Sequence, residues 1–212
     1  MTTATTSDLA ATKALVCELL RQFYDLGWCT GTGGGISVKA GDGYLMAPSG
    51  VAKERVQPEQ LFELDSSFAV TNLDALDNKK ISECSPLFEA IYELRGAGAV
   101  IHTHSVELVL AMDAKRDEPF LEFHRLEMIK GIKGAAYLDH HRVPVIENTP
   151  RECELTDSLR AALGDLPENA HGVFVRDHGA YIWGDSIMAA KRHAEVYEWL
   201  CRYQNRARAL AR

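Results

Sequence analysis

Two histidines one residue apart, His102 and His104, close the apolar run GAVIHTH. On a strand, side chains two positions apart share a face, so both imidazoles would project side by side as a ligand pair. On spacing alone the same pair reads equally as two polar residues leaving a sheet for a loop. A third candidate, His178, follows an apolar stretch and precedes Gly179, where the backbone can approach a neighbour closely. The other histidines fit less well. His193 lies in a charged stretch, His171 in a polar loop, His140 and His141 would point apart if extended, and for these as for His124 a solvated or structural histidine is the better reading. Three imidazoles with an open fourth position suit one zinc ion per chain acting as a Lewis acid, although cobalt, iron or manganese can use the same nitrogens.

Upstream lie two glycine-rich segments, Gly33-Gly34-Gly35 followed by Ser37, and Pro48-Ser49-Gly50. Their exposed N–H groups and hydroxyls could cradle a phosphate without a Walker sequence. A flexible turn has the same composition.

The elements that must position these groups follow from periodicity. Residues 7–26 repeat apolar side chains at helical spacing, and Gly27 stands where a C-cap belongs. Residues 36–39 and 44–46 read as strands around the turn Gly41-Asp42-Gly43, and 65–83 as a strand end followed by a surface loop. Ser85 is expected to cap a helix that starts with Pro86 and runs to about residue 95. A buried strand over 98–104 and a helix over 105–112 come next. The strand 143–146 contains Pro144, which suggests an edge. Residues 149–152 have the form of a capping box for a helix ending by Gly164. Strands over 172–175 and 180–183 flank Asp177-His178-Gly179, and Asp185 is expected to cap a long final helix. With no repeat and no linker, the expectation is one α/β domain over residues 1–212.

Composition narrows the partners. Acidic residues outnumber Lys plus Arg by 30 to 23, a formal charge of −7, which argues against nucleic acid. Arg202, Arg206, Arg208 and Arg212 read as the solvated end of a helix. The first residues lack the basic and apolar regions of a signal peptide, and no apolar run reaches a membrane span of about 20 residues. Five cysteines without a CxxC suit reduced thiols in a cytoplasm.

The segments GWCTGTGGGISVK, YLMAPSGVAKERVQPEQLF, CSPLFEAIYELRGAGAVIHTHS, EMIKGI, PVIENTP and VRDHGAYIWG occur in this order between Leu15 and Tyr203. Together they resemble the class II aldolase/adducin family. The resemblance implies a three-layer α/β/α fold around a largely antiparallel sheet, and a homotetramer with active sites near subunit interfaces. It implies His102, His104 and His178 as zinc ligands, Glu127 as catalytic acid/base, and Cys84 lining the pocket of a small phosphorylated ketose. Gly34, Gly35, Ser49 and Gly50 would hold the phosphate. Related aldolases carry a catalytic glutamate where this chain has Cys84, and an Asn where it has Gly35. That departure favours elimination of water over aldol cleavage. Aldol cleavage or epimerisation on the same scaffold, and a non-catalytic adducin-like role, are the rival readings.

Overall fold

The computed structural model describes residues 6–73, 76 and 79–211. Helix α1 (Thr6–Asp25) buries Val16, Leu19, Leu20 and Phe23 along one stripe, the spacing that lays a helix on a core. A two-residue turn, with Gly41 at φ +60°, joins strands β1 (Gly35–Ala40) and β2 (Gly43–Met46). The short β3 (Phe62–Leu64) pairs with β2. Helix α2 (Ser85–Arg95) ends at Gly96, at φ +59°, and leads into β4 (Ala99–Thr103), which is buried throughout. Next come α3 (Val106–Asp113), capped by the Ser105 hydroxyl, then β5 (Phe120–Phe123) and β6 (His141–Ile146). After α4 (Thr156–Gly164), the hairpin β7 (Gly172–Val175) and β8 (Gly179–Gly184) precedes the long α5 (Ile187–Leu210).

The eight strands form one sheet in the order β3-β2-β1-β4-β8-β7-β6-β5. Only the β6–β7 pairing is parallel, so the sheet is largely antiparallel as expected. Helices α1, α3 and α5 cover one face, packing on Ile36, Ala99, Ile101 and Ile182. Helices α2 and α4 cover the other, packing on Val100, Val173, Tyr181 and Trp183. The result is the three-layer α/β/α arrangement. Alternation along β4 puts His102 on the α2/α4 side with Val100. There its ring stacks on Tyr181, its partner in register on β8, at 4.3 Å and 8°.

Four local expectations are corrected. The strand with Pro144 is not an edge, because β5 lies outside it and pairs Phe120 with Pro144. The missing donor is tolerated since β7 pairs only with Val145 and Ile146, and the Val145 N–H reaches the Pro119 carbonyl at 2.9 Å. Cys84, not Ser85, stands at the start of α2. Ser186 caps α5 through the Ala189 N–H, while Asp185 pairs with Lys133 instead. Residues 149–152 form no capping box. They lead into a 3-10 turn (Glu152–Leu155) ahead of α4.

Two buried histidines tie α5 to the sheet. His193 donates from Nδ1 to the Trp183 carbonyl at 2.7 Å and accepts at Nε2 from the Lys133 N–H, while His141 Nε2 meets the Tyr197 hydroxyl at 3.0 Å. Burial pushes both imidazoles down, each to about 4 from an ordinary 6.5. The folded chain therefore binds fewer protons than the unfolded one between these values. Its stability is complete above pH 6.5 and is lost as pH falls toward 4. By linkage, acidification to pH 5 should remove about 2 kcal/mol per histidine. Urea midpoints at pH 7.5 and pH 5 would check this, and equal midpoints would rule it out.

Candidate metal centre

Neighbouring strands bring the three histidines together. In the β4–β8 pair Thr103 lies opposite Ala180, which sets the turn before β8 against the segment leaving β4. Asp177 takes the left-handed conformation, at φ +54°, and is gripped by the Arg116 guanidinium at 2.7 and 3.1 Å. His104, one residue past β4, is fixed by its N–H on the Trp28 carbonyl at 2.8 Å. Gly33 packs against the His104 ring: a Cβ there would meet Nδ1 at 2.4 Å. Gly34, at φ +68°, leaves as little room: a Cβ there would meet Cys29 Sγ at 2.6 Å and the His102 carbonyl oxygen at 2.9 Å.

The ring nitrogens converge. His104 Nε2 is 2.8 Å from His102 Nε2 and 3.1 Å from His178 Nε2. His102 Nδ1 faces the Ala180 carbonyl at 3.1 Å, and His178 Nδ1 faces Asn148 Oδ1 at the same distance. Each of these acceptors holds the proton on Nδ1 and leaves the Nε2 lone pair aimed at the shared point, the usual orientation of metal-binding histidines. Burial, aided by repulsion from the neighbouring rings, pushes His104 down to about 3 and His178 to about 4, so both are unprotonated at neutral pH.

The sequence reading missed the fourth member. Glu152 Oε1 lies 2.8 Å from His102 Nε2 and 3.7 Å from His178 Nε2, and the four donor atoms lie within 4.8 Å of one another. Burial alone would raise the Glu152 carboxyl. The close contact with His102 Nε2, with hydrogen bonds from Tyr181 and Cys84, outweighs it and holds the group well below the usual carboxylate range. With a neutral His102 ring protonated on Nδ1, Nε2 and the carboxylate meet lone pair to lone pair, a repulsion that a cation between them relieves. Tetrahedral Zn–N bonds of about 2.05 Å would set nitrogens about 3.3 Å apart, close to the spacing here. The donor set fits a divalent metal.

Cys84 lies beside this cluster, buried, with its side chain hydrogen-bonded to Glu152 and Tyr181. Burial pushes its thiol far up, so it is a neutral S–H rather than a thiolate ligand. The two glycine loops also meet near the centre. The Lys53 ammonium, only 2% exposed, bonds the Thr32 carbonyl at 2.7 Å and the Val51 carbonyl at 3.4 Å. It has no carboxylate within ion-pair distance among the described residues. Of the expected phosphate residues, Gly50 takes φ +64°, Gly35 enters β1 opposite His102, and the Ser49 N–H is already used by the Lys80 carbonyl at 3.0 Å. Lys53 was missed although it lies within the YLMAPSGVAKERVQPEQLF segment.

The chain does not bring Glu127 to the histidines. It opens a 3-10 turn (Glu127–Gly131) whose Ile129 packs with the α1/α3/α5 layer, across the sheet from His102. Its side chain is 74% exposed and pairs with Lys130 at 2.7 Å.

Fold and centre define a class that comparison with known proteins bears out. The sequence profile of the class II aldolase and adducin N-terminal domain matches residues 14–205, and the chain belongs to that family. It is 47% identical over 195 residues to methylthioribulose-1-phosphate dehydratase of Aquarana catesbeiana, covering 89% of this chain and 81% of that protein. The human protein of the same name is 46% identical, covering 89% and 80%. Among solved structures, L-fuculose-1-phosphate aldolase from Thermus thermophilus superposes with a TM-score of 0.70 at 22% identity, covering 95% of this chain and 98% of that one. That last likeness bears on the fold alone.

Proposed function

We propose that the chain dehydrates 5-methylthioribulose 1-phosphate to 2,3-diketo-5-methylthiopentyl 1-phosphate, a step of methionine salvage, as a zinc-dependent homotetramer of the cytoplasm. The observation that carries this reading is the 46–47% identity, over most of the chain, to proteins named for that dehydration, with the three-imidazole centre intact. The free cysteines fit a reducing compartment.

A divalent ion held by the Nε2 atoms supplies Lewis-acid polarisation of the ketose oxygens. The chain's own groups do the rest. Lys53 and the loops it joins, with Gly34, Gly35, Ser49 and Gly50, are the proposed cradle of the phosphate; a buried ammonium without a carboxylate gains most from an incoming dianion. Cys84 lines the substrate side of the centre. Glu127 removes the proton from the third carbon, the same carboxyl, or water, protonates the hydroxyl departing from the fourth so that it leaves as water, and the resulting enol tautomerises to the diketone. Its exposure in one chain is the reason to assign it to the centre of a neighbouring copy.

Incubating the zinc-loaded protein with the ketose phosphate should yield a dicarbonyl product. Cleavage into two smaller carbonyl fragments would overturn the assignment. Glu127→Gln should retain its metal and lose at least about 100-fold in turnover, the usual scale of a general acid or base. Mixing Glu127→Gln chains with His104→Ala chains, each inactive alone, should restore a fraction of the activity. No recovery after mixing would show that Glu127 does not act across copies.

A further inference from the structure

The three imidazoles are not held in the same way. His102 and His178 each give a ring Nδ1–H to an acceptor, the Ala180 carbonyl and Asn148 Oδ1. His104 makes its ring hydrogen bonds through Nε2 alone, and its Nδ1 has no acceptor among the described residues. That edge of the ring stands against Gly33, so the place of His104 is set by the main chain that carries it.

This main chain is tied from several sides. The His104 N–H and the Thr103 hydroxyl both donate to the Trp28 carbonyl, at 2.8 and 3.3 Å. The Ser105 N–H donates to Thr103 Oγ1 at 3.2 Å. The Ser105 hydroxyl accepts the Glu107 N–H at 3.2 Å, which caps α3, and gives its own proton to Glu198 Oε2 on α5.

Glu198 is an unusual residue for its position. It shares a buried stripe of α5 with Ala194, Tyr197 and Cys201, at helical spacing, and is only 5% exposed. A carboxylate there carries a desolvation cost that an apolar side chain would not. Its compensation is specific: Oε2 takes the Ser105 proton, and Oε1 takes the Arg202 guanidinium at 3.0 Å. Glu198 is not one of the four donors of the centre. It holds the residue that follows one of them.

We propose that Glu198 is a positioning residue for the metal centre: through Ser105 it fixes the chain that presents His104, and so does for that ligand what Ala180 and Asn148 do for the other two. This rests on the metal reading above. Hydrogen bonds to an ionised oxygen are the strong ones, and a Ser105 hydroxyl committed to Glu198 keeps a lone pair turned to the Glu107 N–H. One rotamer therefore serves both partners. Helix α5, which packs on the face of the sheet opposite His102, braces the centre from across the sheet.

The test loads the full chain with Co2+ and reads metal affinity by chelator competition, the visible absorption of the bound ion, and thermal melting. Ser105→Ala and Glu198→Leu should each weaken Co2+ binding by about 10-fold, the scale on which lost outer-shell support is felt, and shift the visible bands. Glu198→Gln keeps an acceptor oxygen for Ser105, and should stay within about 3-fold of wild type with unshifted bands. The double variant should bind no more than about 3-fold less tightly than the weaker single, because both changes break one bond. Ser105→Ala removes only a hydroxyl and leaves Glu198 its Arg202, so it decides the matter if Glu198→Leu does not fold. Wild-type affinity and bands in Ser105→Ala, whatever its melting temperature, would reduce the network to a structural tie and overturn the proposal. So would losses that multiply in the double variant, or a Glu198→Gln protein as impaired as Glu198→Leu. A wild-type chain that takes up no Co2+ overturns the metal reading itself.

Discussion

Replacing His104 with alanine is expected to strip the protein of its metal and lower turnover by about 1,000-fold or more, the scale on which loss of a charge-stabilising centre is felt. The reason is that His104 Nε2 is the hub of the cluster, 2.8 Å from one ring nitrogen and 3.1 Å from the other. Without it, two imidazoles and one carboxylate remain, and the space vacated beside Gly33 has no side chain to fill it. Stability should change little in comparison, because the ring is only partly buried and the backbone N–H on Trp28 remains. Elemental analysis after dialysis, with turnover measured on the same sample, decides the matter. Stoichiometric metal with turnover within about tenfold of wild type would remove His104 from the centre.

Gly179→Ala should damage fold and site together. The added Cβ would stand 1.9 Å from the Thr103 carbonyl oxygen and 3.1 Å from the His104 Cα. Both are backbone neighbours, which cannot swing aside as a flexible side chain would. Relief requires β8 to move away from β4 at the place where their register sets His178 against His104. A loss of about 3 kcal/mol or more is expected, at the upper end for overpacking, together with weaker metal binding. Denaturant unfolding and chelator competition measure the two effects. A variant with wild-type stability and metal affinity would show that the strands are not in contact there.

How much of this was legible in the sequence depends on which kind of information each feature uses. The HTH spacing carried its own geometry, since residues two apart on a strand share a face, and His102 and His104 do converge. The turn at residues 41–43 and the glycine after α1 were equally local. Strand order was not. Nothing in the chain announces that β8 lies beside β4, so the apolar stretch and Gly179 made His178 a candidate ligand without showing that it meets the other two. Glu152 was hidden for a related reason: in sequence it resembles the third residue of a helix cap, and its role exists only because α4 delivers that turn to the α2 side of the sheet. The four residues of β5 were too few to show alternation, which made Pro144 look like an edge. Glu127 was named from the family motif, and its position across the sheet could not be read from any local pattern.

The distance along the chain between His104 and His178, 74 residues, has a consequence for how the molecule matures. A bound ion joins two segments that are distant along the chain, and so closes a long loop much as a covalent cross-link does. It closes only when the pairing is right, because sliding β4 by a single residue would turn His102 to the opposite face of the sheet. A chain with misaligned strands has no centre to load, while a correctly aligned one gains the binding energy of the ion. Metal uptake thereby proofreads the strand pairing on which the site depends.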